Sequence, residues 1–259
     1  MFKHGGIDMN DKKAALDLYI KKSKYTNLYI SFEEFKDLIL NESFFLDEDC
    51  LFIFKKINGL HKLYFLIQDA SDIKKVDPYL KNIRTEVVID FLSKSNEINI
   101  PFEEVGFKLY KVFSRYSVLQ PERVVSKRKV TGVELATPSD VVAVESLIKS
   151  VFDPKCDYMP TIEELMLFVE RKELFVQKRE DALLGFALYI KEAYGVDFRL
   201  NCVNPAYQSG MIGYKFVQAL PKEGKKFICW ADDNNSAAIR LNESIGFKKD
   251  GLKNFIYER

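Results

Sequence analysis

The sequence predicts a mixed α+β protein made of two domains of similar plan. Strand-like and helix-like patterns alternate along its second half. One stretch of that half recurs, diverged, in the first, and a polar, basic connector lies between them. The recurring stretch is "TEVVIDFLSKSNEINIPFEEVGFKLYKVFSRY" (Thr85 to Tyr116), set against "KKFICWADDNNSAAIRLNESIGFKKDGLKNFIYE" (Lys225 to Glu258). Each begins with a β-rich strand, passes an Asn-containing polar stretch and a short amphipathic piece, and ends in Gly-Phe-Lys and a last strand. Asn96 stands almost as far before Gly106 as Asn235 does before Gly246. The connector "SVLQPERVVSKRKVTG" (Ser117 to Gly132) divides the chain into domains at 1–122 and 130–259.

In the first half, "LDLYIKKS" and "SFEEFKDLIL" carry helical patterns, and "LFIFKKINGLHKLYFLIQ" is a hairpin turned at "ING". Only Asp69 to Arg84 separates that hairpin from the next strand. In the second half, Val133 to Ala136 reads as a strand. "TPSD" then offers Ser139 or Asp140 as an N-cap for "VVAVESLIKSVF". "TIEE", from Thr161, has the spacing of a capping box at the start of another helix. "ELFVQKR" and "ALLGFALYI" are β-rich runs joined by "EDA", and "AYGVD" turns into the strand "FRLNCV". After the Pro205 loop come a helix from about Ile212 to Leu220, the strand "KFICWA", a helix from Asn235 to Ile245 and a strand near Asn254 to Tyr257.

Composition narrows the function classes. The 39 Lys and Arg residues nearly cancel the 38 Asp and Glu, so no global field draws nucleic acid or an anionic membrane. No apolar run is long enough for a membrane span, and "MFKHGGIDMN" lacks the apolar core of a signal peptide. Cys50, Cys156, Cys202 and Cys229 are widely spaced, which points to reduced thiols in the cytoplasm. The only histidines, His4 and His61, are isolated in the first half, so no metal site or His-based triad is expected in the second.

The chemistry concentrates in "FRLNCVNPAYQSGMIGYKF" (Phe198 to Phe216), where a strand passes through a polar loop to Gly213 at the mouth of a helix. A helix N-terminus presents unpaired N–H groups and the positive end of its dipole, so it can hold a phosphate; an ordinary turn has the same look. Asp197, Arg199 and Asn201 alternate with Phe198, Leu200 and Cys202, which predicts one polar face. On that face Asp197 is the carboxylate suited to act as a general base, or else a solvated strand-end residue.

Val203-x-Pro205-x-Tyr207-Gln208-x-x-x-x-Gly213, followed by Asn235-x-x-Ala238 and then Gly246-Phe247, resembles the GNAT superfamily of CoA-dependent N-acyltransferases. The likeness covers about Val133 to Arg259 and reaches the first half only through its last strand and Gly-Phe. It implies two GNAT-like domains, each a twisted, mostly antiparallel sheet flanked by helices, with acetyl-CoA or another acyl-CoA as donor. Gln208, Ser209, Gly210, Met211, Ile212 and Gly213 would wrap the CoA pyrophosphate. The backbone around Cys202 and Val203 would bind the pantetheine arm and the thioester carbonyl. Asn235 would contact pantetheine through its amide, or cap its helix, or both. Cys202 is expected to be core, because the family transfers its acyl group directly.

The chain departs from the family's pattern at three positions. Met211 replaces the first glycine of the loop motif. Asn242 stands where many members place the tyrosine that protonates the departing thiolate. Trp230 stands where some carry a glutamate base, and it either lines the acceptor pocket or is core. Asn242 shares a helix face with Asn235 and Ala238, from which it could lend the sulfur a hydrogen bond without delivering a proton. In the first half, "LIQDASDIKKVDPYL" has no glycine and places Asp69 and Asp72 at a helix start, where they would repel a pyrophosphate.

The expected activity is therefore transfer of an acetyl or other short acyl group from CoA to a small-molecule amine by the second domain. The acceptor pocket is expected to draw on "DPKCDYMP" and "KEAYGVD". Two rivals stand beside this reading: a catalytically silent relative that binds CoA or another ligand, and an acyltransferase served by a carrier protein. The oligomeric state and the acceptor's identity are not legible in the sequence.

Overall fold

Why this chain makes two similar units is visible in how its strands find partners. The computed structural model describes residues 9–20, 23–47, 50–119, 132–193, 195–207, 212–219 and 226–259. Two compact units emerge: Met1–Val112 with Leu252–Arg259, and Phe113–Gly251.

Unit 1 contains α1 (Met9–Ile20), β1 (Tyr25–Thr26), α2 (Phe32–Asn41), β2 (Ser43–Asp47), β3 (Cys50–Ile57), β4 (Leu60–Ile67), α3 (Asp77–Leu80) and β5 (Val87–Ser93). Ser31 and Glu34 close a reciprocal capping box on α2. The β3–β4 hairpin turns at Asn58 and Gly59, both at positive φ (49° and 84°), as a two-residue hairpin turn requires. β2, β3 and β4 pair antiparallel, and β5 joins β4 in parallel. Alternation along β3 sends Phe52 and Phe54 into one core, with Phe65, Phe102 and Phe107, and Leu51 and Ile53 into another, under α1 and α2.

Unit 2 contains β7 (Glu134–Leu135), α4 (Val141–Val151), α5 (Ile162–Glu170), β8 (Leu174–Arg179), β9 (Ala182–Glu192), β10 (Gly195–Val203), α6 (Ile212–Ala219), β11 (Lys226–Asp232) and α7 (Ser236–Ser244). Thr161 caps α5 with Glu164, as its spacing predicts. Asp140, one of the two expected caps, stands at the N-cap of α4 without a side-chain cap bond there, its carboxylate closing a capping box with Thr137 one turn earlier. The sheet is antiparallel except where β10 meets β11. One face packs on α6 and α7, the other on α4 and α5.

Two strands cross the expected division at 1–122 and 130–259. β6 (Lys108–Leu119) ends the first half of the sequence, yet its residues from Phe113 onward pair with β11 in unit 2. β12 (Lys248–Glu258) ends the second half, yet its residues from Lys253 onward pair with β5, and Phe255 and Tyr257 enter the unit 1 core. The halves have traded last strands, which no linker composition could announce.

The repeat is real at the level of backbone hydrogen bonds. Gly106 and Gly246 both sit at left-handed φ (86° and 92°). Gly106 N–H donates to Glu103 O and Phe107 N–H to Phe102 O; Gly246 N–H donates to Glu243 O and Phe247 N–H to Asn242 O. Both phenylalanines are buried. Only glycine takes that backbone without strain, so each motif ends its helix the same way. In unit 1 the helix before it has shrunk to a single 310 turn, Phe102–Val105.

Candidate functional site

The site is built where two parallel neighbours stop pairing. β10 and β11 are joined from Gly195↔Lys226 to Phe198↔Cys229 and no further. Beyond that point β10 stays with β9 as far as Val203, while β11 stays with β6 as far as Asp232. The strands thus part into a wedge, and the β10 edge from Arg199 to Val203 faces it. Among the described residues no strand and no side chain takes the backbone groups of that edge.

A bulge at the wedge's apex changes which residues share a face. The β10–β9 register shifts between Asp197 and Leu200. Before the shift Val196 and Phe198 pack in the α6–α7 core; after it, Leu200 and Cys202 pack in the α4–α5 core. The single polar face expected of Asp197, Arg199 and Asn201 is therefore not formed. Strict alternation put the three together, and one extra residue in the strand separates Asp197 from Asn201.

Asp197 is buried, at 3 % exposure, rather than solvated at a strand end. Its Oδ2 lies 2.6 Å from Arg199 Nη2, and its Oδ1 has no hydrogen-bond partner among the described residues. Burial raises its pKa above the usual carboxylate value; Arg199 and Arg115 oppose the rise and Glu192 adds to it. Trp230 sits directly across from Arg115, on the side opposite Cys229 and Tyr116, and the guanidinium lies 5.9 Å from its ring centre. Arg115 Nε also pairs with Asp250 at 2.8 Å. Trp230 is half-buried beside this charged group. Tyr158, from the α4–α5 loop, donates to Glu164 at 3.1 Å. Burial pushes its phenol up to about 12, while nearby Arg199 draws it down. Tyr158 of the loop "DPKCDYMP" thus lies within reach of the Arg199 charge.

On the other face, Asn242 is the buried residue of α7, at 6 % exposure. Its side chain makes no hydrogen bond with any described residue, although its backbone carbonyl serves Phe247. Asn201 Oδ1 is buried without a partner among the described residues. Asn235 caps α7, its side chain accepting from Ala238 N–H at 3.0 Å, and its amide N–H groups remain available.

Gly213 is closely packed: a Cβ there would come within 3.2 Å of Leu241 Cδ2 and 3.8 Å of Asn201 and Val203. The missing side chain lets the first turn of α6 settle against α7 and β10. Sequence reasoning tied Gly213 to phosphate and missed this packing role, since Leu241 adjoins it only in the fold. Ile212 is buried at the start of α6. Gln208, Ser209, Gly210 and Met211 lie outside the described residues. Cys202 is a core thiol pushed up to about 12 by burial, a poor nucleophile. Val203 closes β10 and packs toward α6. In unit 1, Asp69 and Asp72 form a capping box at the turn after β4. No described cluster of three His, Cys, Asp or Glu side chains is placed to hold a metal, no described helix is long and apolar enough to cross a membrane, and all four cysteines are free.

Neither a protein-family model nor a curated protein sequence matches the chain. Solved structures do. A GCN5-related N-acetyltransferase from Sphaerobacter thermophilus matches over 95% of this chain and 90% of its own, with 12% identity and a TM-score of 0.60. A tandem GNAT protein from the clavulanic acid biosynthesis pathway matches over 97% and 95%, with 10% identity and a TM-score of 0.63. A probable N-acyltransferase of Enterococcus faecalis matches over 98% of this chain and 71% of its own, with 10% identity and a TM-score of 0.61. At such identities the likeness is one of fold. This chain has the GNAT fold in its tandem form.

Proposed function

We propose that unit 2 moves an acetyl or other short acyl group from CoA to the amine of a small molecule by direct attack. The observation that carries this reading is the open β10 edge at the root of α6. Backbone N–H and C=O groups that no described residue takes up there can pair with an extended, amide-bearing arm such as pantetheine, much as a sheet edge pairs with an added strand. The residues fit the donor on two further counts. Gly213 brings the positive end of α6 close to the strand's end. Asn242 presents from α7 an amide that no described residue engages.

The donor supplies a thioester carbonyl and a thiol whose pKa is near about 8.5, so its anion leaves without obligatory protonation. A fixed N–H of the β10 edge stabilises the oxyanion, an effect whose loss typically costs about 10²–10³ in rate. Asn242 donates to the departing sulfur. Asp197, raised in pKa and short of a partner on Oδ1, takes the proton of an incoming ammonium directly or through water. Trp230, Arg115 and Tyr158 form the polar surroundings of the acceptor. A cytoplasmic place belongs to the same proposal. Thiol release from acetyl-CoA against a panel of amines is the test. Turnover with at least one amine supports transfer; CoA binding without turnover on any would favour a silent relative.

A further inference from the structure

Unit 1 repeats the wedge and fills it. β4 and β5 pair in parallel only at His61↔Val87 and Lys62↔Val88. Beyond these, β4 stays with β3 to its end and β5 stays with β12. The β4 edge from Leu63 to Ile67 is thus the counterpart of Arg199 to Val203. It is not free. β1 pairs with it antiparallel, Thr26↔Leu66 and Tyr25↔Ile67. Just beyond, Asn27 Nδ2 donates to Leu63 O at 2.9 Å, and Phe65 N–H donates to Asn27 Oδ1 at 2.8 Å. Thr26 Oγ1 donates to Phe65 O at 2.9 Å and accepts from Leu28 N–H at 2.9 Å. Asn27 is 4 % exposed, and Leu28 is buried in the α1–α2 core.

We propose that Tyr25–Leu28 is a built-in occupant of this wedge, a peptide where unit 2 keeps room for pantetheine, and that it closes unit 1 to acyl-CoA. The comparison rests on the donor reading of unit 2. A planar side-chain amide carries one acceptor and a donor, so Asn27 serves the β4 edge as a peptide group would. A ligand entering there must first break these buried bonds and leave Leu63 O and Phe65 N–H unpaired, unless it remakes each of them. The turn after β4 adds a second obstacle, because the Asp69–Asp72 box sets carboxylates where a pyrophosphate would lie. In unit 2 the segment between the first two helices, 152–161, forms no strand, and β7, which precedes both helices, pairs with β8 at Glu134↔Val176 and Leu135↔Phe175. One fold thus has an open wedge in one unit and an occupied wedge in the other.

Hydrogen–deuterium exchange on the full chain, with and without saturating CoA, tests this at amide resolution. CoA should slow exchange in the stretch 198–216 and leave 25–28 and 60–67 unchanged. Asn27→Ala should speed exchange of the Phe65 amide by about tenfold or more, as a buried donor loses its acceptor. If that variant does not fold, Thr26→Val is the gentler probe, and it should speed the Leu28 amide several-fold. Slower exchange at 60–67 on adding CoA would overturn the proposal, as would unchanged Phe65 and Leu28 amides in the folded variants. If CoA slows exchange in neither unit, the donor reading of unit 2 fails, and the variant amides alone decide whether the occupant holds the edge.

Discussion

Asn242→Ala separates a working asparagine from a structural one. Residue 242 lies inside α7, where alanine is favoured over asparagine by about 0.5 kcal/mol of helix propensity. The residue is 6 % exposed, and its side chain makes no hydrogen bond with any described residue. Against that gain stands about 1 kcal/mol for the small void left behind. The net expectation is an unfolding free energy within about 1 kcal/mol of wild type. Turnover should fall. A neutral hydrogen bond to the leaving sulfur is worth about 0.5–1.5 kcal/mol, roughly two- to thirteen-fold in rate. Urea denaturation and thiol release, both per folded molecule, measure the two effects. A variant destabilised by more than about 1 kcal/mol with turnover intact would show that the amide has a structural partner and no catalytic task. A thousandfold loss of rate would be too large for one neutral hydrogen bond, and would equally refute the assignment.

Other predictions follow from the same geometry. Gly213→Glu places a side chain against Leu241, Asn201 and Val203, so it should destabilise unit 2 as well as abolish CoA binding; calorimetry finding full stability and unchanged CoA affinity would remove Gly213 from the site. Asp197 has a raised pKa in the folded protein, so the stability linked to its titration is fully present below the ordinary carboxylate value and is lost as pH rises through the folded one. Asp197→Asn cannot titrate and should gain on wild type through that window in pH-resolved denaturation, while losing the rise of turnover over the same range; parallel stability curves would contradict the assignment. Fragments cut at the expected linker, 1–122 and 130–259, should each lack a cooperative unfolding transition, because the first misses Phe255 and Tyr257 and the second misses the buried Tyr116. Cooperative melting of either fragment alone would show that the traded strands are dispensable.

Much of this fold was legible because local patterns decide it. The capping box at Thr161, the Asn58-Gly59 hairpin turn and the Gly-Phe helix ends each need only a few adjacent residues. The α6 and α7 segments could be placed from the same kind of signal. What the sequence hid is everything set by a partner far along the chain. The bulge after Asp197 leaves no mark in "VDFRLNCV", yet it parts Asp197 from Asn201 and decides which side of the wedge each serves. Gly213 announced a loop and turned out to be a packing contact with Leu241. Asn27 was not singled out by any motif; its role exists only because Leu63 and Phe65 present an unpaired edge beside it.

The traded strands follow from the same physics of edges. Each half of the sequence ends in a strand after a Gly-Phe turn, and each sheet has a strand whose far edge needs covering: β5 in unit 1 and β11 in unit 2. An uncovered edge invites pairing with any strand available, and the two terminal strands are alike in pattern. Either could satisfy either edge by hydrogen bonds alone. Side chains break the tie. Phe255 and Tyr257 alternate into the aromatic core around Phe102, while Tyr116 alternates into the core beneath α7, fully buried beside Cys229. The pairing is thus selected by which rings fit which core, and it makes each unit depend on residues from the opposite end of the sequence.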